Sequence, residues 1–467
     1  MRKDFVHLGP SLPVDEAATL LPQAIFLPPV AHGDLLRLDA RPGDRVLLID
    51  GLFLQVAAVR HREILELLHR GVVVAGSSSM GALRAAELHP YGMRGVGDVF
   101  ALYRDLVVTG DDEVAVVHGP AEDGYRAYSE PLVNIRLALR RAVSGAALNQ
   151  TEADLLLDIA RDLPFRSRSY RSLGRAATSH SPVAGAAADR LLTWRRHHPY
   201  DAKAADARLL LSMAACDAPA LRPWDADDLP IDNLHTRFLD AWHARNAGRD
   251  VGGRWVTERD LLTALMLLHP DYPRAHRDSV LAGLADVDPD HPELVELALA
   301  TAVGHGLDRP TGGWLTTHDQ SLPPQEALLT MLVRALGTCS FHSLAAWMIP
   351  ARLHTEPVMA AARQVVAVAE RLNTASIPTI EGPGVAGGRM RFRTNTIDQT
   401  FARYWGCDLD GLEAAAWDRG FVDLEAFRLA AEPFVAYLRM FGDPALPAGA
   451  AQFPVAAGPA PARQETP

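Results

Sequence analysis

The sequence is poor in lysine, in cysteine and in long apolar runs. Lys3 and Lys203 are the two lysines among 46 basic residues of this 467-residue chain, so nearly every cation is an arginine. The abundance of Ala, Gly and Pro beside them is what a GC-rich coding sequence produces. The three cysteines, Cys216, Cys339 and Cys407, lie far apart and are odd in number. That excludes a disulfide framework and a zinc site built from paired Cys-x-x-Cys units, and predicts a reduced, cytoplasmic protein. No stretch reaches the roughly 18 to 20 apolar residues needed to cross a bilayer, and the N-terminus MRKDFVHLGP lacks the apolar core of a signal peptide. A net charge of −11 leaves no general positive surface with which to displace the counterions of nucleic acid. Neither a membrane nor nucleic acid is an expected partner.

What is present is enough apolar sequence, 48%, for two or three domains with real cores. Residues 1–145 read as an α/β unit. Short apolar runs at Phe5–Leu8, Ala24–Leu27, Val46–Ile49, Val72–Ala75 and Val114–Val117 have strand length and end in Gly, Asp or Pro. A helix over Val56–Arg70 carries Ala57, His61, Ile64, Leu65 and Leu68 on one apolar stripe. Strand–helix–strand at this spacing predicts a mainly parallel sheet, with its functional crevice at the carboxyl ends of the strands. Residues 146–225 read as a helical extension ending in a Pro/Asp-rich linker at 219–232. A helical domain is expected over 226–443, with a Gly-rich loop at 378–388, and a disordered Ala/Pro-rich tail over 444–467. Helix starts are signalled after Ser129-Pro131, at Thr151 with Asp154, and at Thr257 with Asp260; a final pair falls near Ile397–Trp405 and Leu424–Met440.

The segment VVVAGSSSMGALRAAEL, 72–88, is the sharpest chemical signal. An apolar strand enters Gly76, three serines follow, and a helix starts near Met80 with small residues, Gly81/Ala85 and Ala82/Ala86, able to lie close to the sheet. A serine there has three readings. It caps the helix, its turn holds an anion at the positive helix end, or it attacks an acyl carbon whose oxyanion meets free N–H groups. The order of residues matches neither Gly-x-Ser-x-Gly nor a P-loop. His61 reads as a core histidine or a base, and Asp50, at a strand end, as an orienting carboxylate or a turn cap. His118 follows the last predicted strand and faces the crevice. Asp111-Asp112-Glu113 reads as a solvated turn, since contiguous charges do not converge on a metal.

Seven segments, GPSLP (9–13), IDGLF (49–53), HREIL (61–65), SSSMGALRAAEL (77–88), YGMRGVGDVF (91–100), DDEVAVVHGP (111–120) and SEPLVNIR (129–136), together resemble the TfuA family in order and wording. The resemblance covers about the first 145 residues. It implies a role beside a YcaO enzyme, which activates backbone amides of ribosomally made peptides, in thioamidation or related azoline chemistry. It further implies hydrolysis of the C-terminal thiocarboxylate of a ubiquitin-like sulfur-carrier protein, without a cofactor, and the precursor peptide is a further candidate partner. A serine–lysine pair is the family's catalytic device. The serine carries over onto Ser79, with Ser78 second; Asp50, Gly76, Ser77, Met80, Gly81 and Arg84 are the candidate binding positions. The lysine does not carry over cleanly. Similar sequences often have lysine where this chain has Arg62, and an arginine stays protonated, unable to accept a serine proton. Lys3 sits at the amino end of the sheet, and Lys203 would reach the crevice only by a fold-back the sequence does not specify. Either His61 or His118 then supplies the base, or hydrolysis is weakened. Two other readings stand beside this one: a noncatalytic adaptor that recruits YcaO, peptide or carrier, and a phosphate-binding α/β enzyme for a small ligand.

Overall fold

The structure is a computed structural model and describes residues 2–53, 56–222, 236–307, 309–310, 313–375, 390–444 and 446. The expected loop at 378–388, most of the linker at 219–232 and nearly all of the tail lie outside these residues. The chain divides into two compact units, Met1–His235 and Thr236–Pro467.

The first unit is the expected α/β fold. Strands β1 (Asp4–His7), β2 (Ile25–Leu27), β3 (Arg45–Leu48), β4 (Val73–Gly76) and β5 (Arg94–Gly95) form one parallel sheet in the order β2-β1-β3-β4-β5. Helices α1 (Val14–Leu20), α2 (His61–His69), α3 (Met80–Leu88) and α4 (Asp98–Arg104) intervene or follow. The chain continues into α5 (Leu132–Ser144), α6 (Gln150–Asp162), α7 (Tyr170–His180), α8 (Pro182–His197) and α9 (Ala202–Ala215). Alternation along the strands divides the core. Phe5, Val46, Leu48 and Val74 pack under α2, α3 and α4, whereas Val6, Leu47, Ile49 and Ala75 face α1 and α9. Helix α9 thus completes a three-layer sandwich, offering Ala204, Ala207, Leu210, Leu211 and Ala214 to a sheet face that α1 covers only in part. Helices α5 to α8 share a separate core around Ile135, Leu156, Leu173 and Leu191.

Three expectations are corrected in this unit. Val114–Val117 is not a strand; the fifth strand is Arg94–Gly95, which reaches the edge of β4 directly after α3. Residues 114–117 instead cross the strand ends, tied by Val117 N–H to Ser129 Oγ at 2.9 Å. Helix α2 begins at His61 rather than Val56, and its buried face is Glu63, Ile64, Leu67 and Leu68. Glu63 turns inward to accept the N–H groups of Arg60 and Gly33 at 3.0 and 2.8 Å, and this rotates His61 out to solvent. Burial raises the Glu63 carboxyl to about 7 against those bonds. The capping box of α6 is Asn149 with Glu152, two residues before Thr151.

The second unit is helical, with one antiparallel pair, β6 (Gly248–Asp250) and β7 (Trp255–Thr257), after α10 (Arg237–Asn246). The rest is α11 (Glu258–Leu268), α12 (Tyr272–Ala285), α13 (Leu294–Gly304), α14 (Pro324–Gly337), α15 (Glu356–Ala375), α16 (Thr394–Trp405), α17 (Leu412–Trp417), α18 (Leu424–Ala431) and α19 (Val435–Phe441). Thr257 and Asp260 cap α11 as expected, and Leu261–Leu268 is buried throughout. The expected last helix is broken into α18 and α19 by a turn at Glu432–Phe434, where proline removes an N–H.

At the amino end of β3, the buried Arg45 guanidinium grips Asp4 through Nε and Nη2 at 2.6 and 2.7 Å and the Ala214 carbonyl at 2.9 Å. Arg45→Ala strands the buried Asp4 carboxylate, so it should lower the stability of this unit by about 3–5 kcal/mol in urea denaturation.

Candidate functional site

Strand order 2-1-3-4-5 places a switch point between β1 and β3, where the chain leaves neighbouring strands in opposite directions and a crevice opens. Asp50 stands directly after β3 at that point and is buried. Its Oδ2 accepts the N–H groups of Gly9 and Ser11 at 2.9 and 3.0 Å, and its Oδ1 accepts Ser11 Oγ–H at 2.6 Å. The carboxylate therefore binds the turn after β1 to the end of β3.

The serine turn follows β4. Ser77 N–H donates to Leu48 O at 3.1 Å, and Ser77 O receives the N–H groups of Ser79 and Ala82 at 2.7 and 3.0 Å. Close packing fixes the turn: a Cβ on Gly76 would collide with Gly81 O, and one on Gly81 with Leu48 O. Ser78 takes a left-handed φ of 64°, a conformation that costs a non-glycine residue roughly 1 kcal/mol or more. It is fully buried and donates its Oγ–H to the Lys203 carbonyl at 2.7 Å. Ser79 is the N-cap residue of α3, yet its hydroxyl makes no capping bond and has no hydrogen-bond partner among the described residues. The cap reading of Ser79 is thereby overturned. The N–H of Met80, in the first turn of α3, likewise has no acceptor among those residues.

The fold-back that the sequence does not specify takes place. Lys203, second residue of α9, is buried at the carboxyl ends of the strands. Its Nζ donates to Val114 O at 3.2 Å and lies 3.9 Å from Asp50 Oδ1. The other end of α9 meets Arg45 at the opposite edge of β3, so the helix runs against the strand and its N-terminus reaches the crevice. Burial pushes the Lys203 ammonium below the usual lysine range, opposed by the negative charges of Asp50, Asp201 and Glu130.

A cavity of about 270 Å³ opens beside Ser79 and Asp50. Asp50, Gly51, Phe53, Ser79, Val114 and His118 line it, with Phe165 and Arg166. Lys203 itself does not line the cavity; its Nζ is held by two residues that do, Asp50 and Val114. His118 is half-buried, with Nδ1 on Gly119 O at 2.7 Å and its ring edge-on to Tyr125. Arg166 is exposed and lies over the Phe165 ring, with no carboxylate partner among the described residues.

The remaining sequence candidates sit elsewhere. His61 pairs with Glu87 at 2.8 Å on the exposed surface, and Arg62 beside it is exposed; neither lines the cavity. Arg84 is held by Val59 O at 3.1 Å and Glu87 at 2.6 Å, away from the serine turn. Glu113 is not solvated: it forms a buried pair with Arg136, and no metal-holding cluster of acidic, His or Cys residues occurs among the described residues. Sequence reasoning passed over Ser11, Asn134 and Arg166. The signal for Lys203 lay in the small, apolar stripe that follows it, which marks α9 as a sheet-covering helix.

The first unit is a parallel α/β fold with a serine turn and a buried lysine at the carboxyl ends of its strands. Residues 50–169 match the family model described as TfuA-like protein, so the segment from Asp50 through the serine turn to Arg166 is TfuA-like. No curated protein matches the chain. The matched segment stops before Lys203.

Ser78 offers a test of this geometry. Ser78→Gly and Ser78→Ala lose the same hydrogen bond, but glycine adopts the left-handed conformation freely, so Ser78→Gly should be the more stable variant by about 1 kcal/mol in urea denaturation.

Proposed function

We propose that this chain, with its TfuA-like segment, acts in YcaO-dependent modification of ribosomally made peptides. Its first unit hydrolyses the C-terminal thiocarboxylate of a ubiquitin-like sulfur-carrier protein and supplies sulfide to that modification. The observation that carries this reading is a Ser79 hydroxyl with no partner among the described residues, sharing a cavity with Asp50 and Val114, the two residues that hold a buried lysine amine.

Burial favours the neutral amine, and Val114 O is one carbonyl acceptor in hydrogen-bond reach, so one N–H is satisfied and the nitrogen lone pair stays available. Lys203 then takes the Ser79 proton as Oγ attacks the thiocarboxylate carbon. Negative charge developing on the carbonyl oxygen is received by the Met80 N–H and the positive end of α3. The C–S bond breaks, the Lys203 ammonium protonates the sulfur, and hydrosulfide leaves an acyl ester on Ser79. Water attacks the ester, giving one proton to Lys203, which returns it to Ser79 Oγ as the bond to serine breaks; the carrier's carboxyl departs and loses its remaining proton to solvent. The substrate is already an anion, and attack on it adds a second negative charge; Arg166 at the cavity wall is the cation placed to offset this. No step calls for a metal or an organic cofactor.

In this reading Ser79→Ala and Lys203→Met each abolish sulfide release from a thiocarboxylated carrier, by at least a hundredfold, while Arg62→Ala leaves it within about twofold. Below the lowered lysine range the amine is an ammonium and cannot accept the serine proton, so kcat/KM should fall as pH falls through it. Undiminished release by Ser79→Ala, measured by sulfide trapping, overturns the nucleophile and leaves an adaptor that recruits YcaO and carrier.

A further inference from the structure

The SEPLVNIR segment contributes polar residues that the mechanism above does not use. Asn134, on α5, is buried to 2% exposure. Its side-chain carbonyl accepts the N–H groups of Ala202 and Lys203 at 3.0 and 3.2 Å, the first two of α9. Its amide nitrogen donates in turn to Glu130 Oε1 at 2.8 Å. Asp201, the N-cap of α9, satisfies the next N–H, on Ala204, so Asn134 caps the helix from outside it. The groups that bear charge around Lys203 are Asp50 beyond β3, Asp201 on its own helix start and Glu130 before α5.

We propose that Asn134, braced by Glu130, is a positioning residue that seats Lys203 for proton transfer with Ser79. The backbone N–H of the lysine itself is one of its two ligands, so the amide fixes where the side chain starts, five bonds from Nζ. Ser78 holds the same residue from the other side, through its carbonyl. Between them the two side chains hold the Lys203 backbone on both sides of its Cα, at the strand ends. Glu130 orients the Asn134 amide, since a carboxylate accepts only from the –NH2 end and thereby turns the carbonyl toward α9. It also places a negative charge that favours the ammonium form. This inference rests on the serine–lysine reading for its catalytic meaning, and on the hydrogen-bond geometry alone for the seating of the lysine.

The sparse lysine content makes the test direct. Full-length protein labelled with 13C at lysine Cε shows two resonances, from Lys3 and Lys203, and Lys3→Arg assigns them. In the unmodified protein the Lys203 signal should titrate below the usual lysine range. Glu130→Gln keeps the acceptor for Asn134 and removes the charge, so the Lys203 midpoint should move down. Asn134→Ala unseats the start of α9, and the midpoint should rise toward the usual lysine range. A purely structural role would change stability and leave both midpoints where they are in the folded protein; unmoved midpoints in these variants overturn the proposal. If Asn134→Ala does not fold, Glu130→Gln alone decides. Sulfide release measured over the same pH range separates the two readings. Midpoints that move while the pH profile stays still support the seating and refute Lys203 as the base.

Discussion

The first unit depends on the burial of one amine. Removing an ammonium from water costs several kcal/mol even after relaxation, and Lys203 recovers little of it from direct contacts: one carbonyl at 3.2 Å and one carboxylate at ion-pair distance. The helix that carries it makes burial affordable. Leu210 and Leu211 of α9 are fully buried against the sheet, and side chains of that size contribute roughly 2 kcal/mol each. At the far end Arg45 binds the Ala214 carbonyl, and in the middle the Asp206 carboxylate accepts the N–H groups of Asp98 and Val99 at 2.9 and 2.8 Å, capping α4. The lysine is held in place by groups that gain from the same docking and are indifferent to its charge.

Asp50 shows how closely fold and site are joined here. Three donors from the turn after β1 converge on its two oxygens, which ties together the strands flanking the switch point. The same oxygen that accepts from Ser11 faces Lys203. Loss of this carboxylate would open the crevice and remove the nearest charge opposing neutralisation of the amine. The serine turn is built on a comparable economy, because Ser78 accepts backbone strain and directs its hydroxyl away from the cavity to the Lys203 carbonyl. Ser79 is left facing the open space with its hydroxyl unspent.

Much of this was legible in the sequence where local pattern decides structure. Four of five strands, the start of α3 at Met80 and the close approach of Gly81 follow from apolar runs ended by Gly and Asp and from a run of small residues. Errors arose where a side chain's partner lies far along the chain. Val114–Val117 has strand composition, but β5 satisfies the edge of β4 first. His61 has helical spacing from Ile64, but the inward turn of Glu63 displaces the stripe. Lys203 lies 153 residues beyond Asp50, and no local periodicity encodes that meeting. Only the demand of an uncovered sheet face for a small-residue helix points to it, and that demand does not say which of several helices will answer.

Scarcity of lysine now has a chemical meaning at one position. In a chain that uses arginine for nearly every cation, Lys3 is exposed beside Asp39, where either residue would serve. Position 203 is different. A guanidinium carries five N–H donors, is wider than an amine and does not give up its proton; the pocket offers one carbonyl and a carboxylate whose oxygens already receive three bonds. Arginine there would leave donors buried without acceptors and could not act as a base. An amine on a slender stem can be satisfied by a single acceptor once it is neutral, and neutrality is what the surrounding burial favours. The constraint that excludes arginine from this position is therefore the one that makes the group competent to take a proton from a neighbouring hydroxyl.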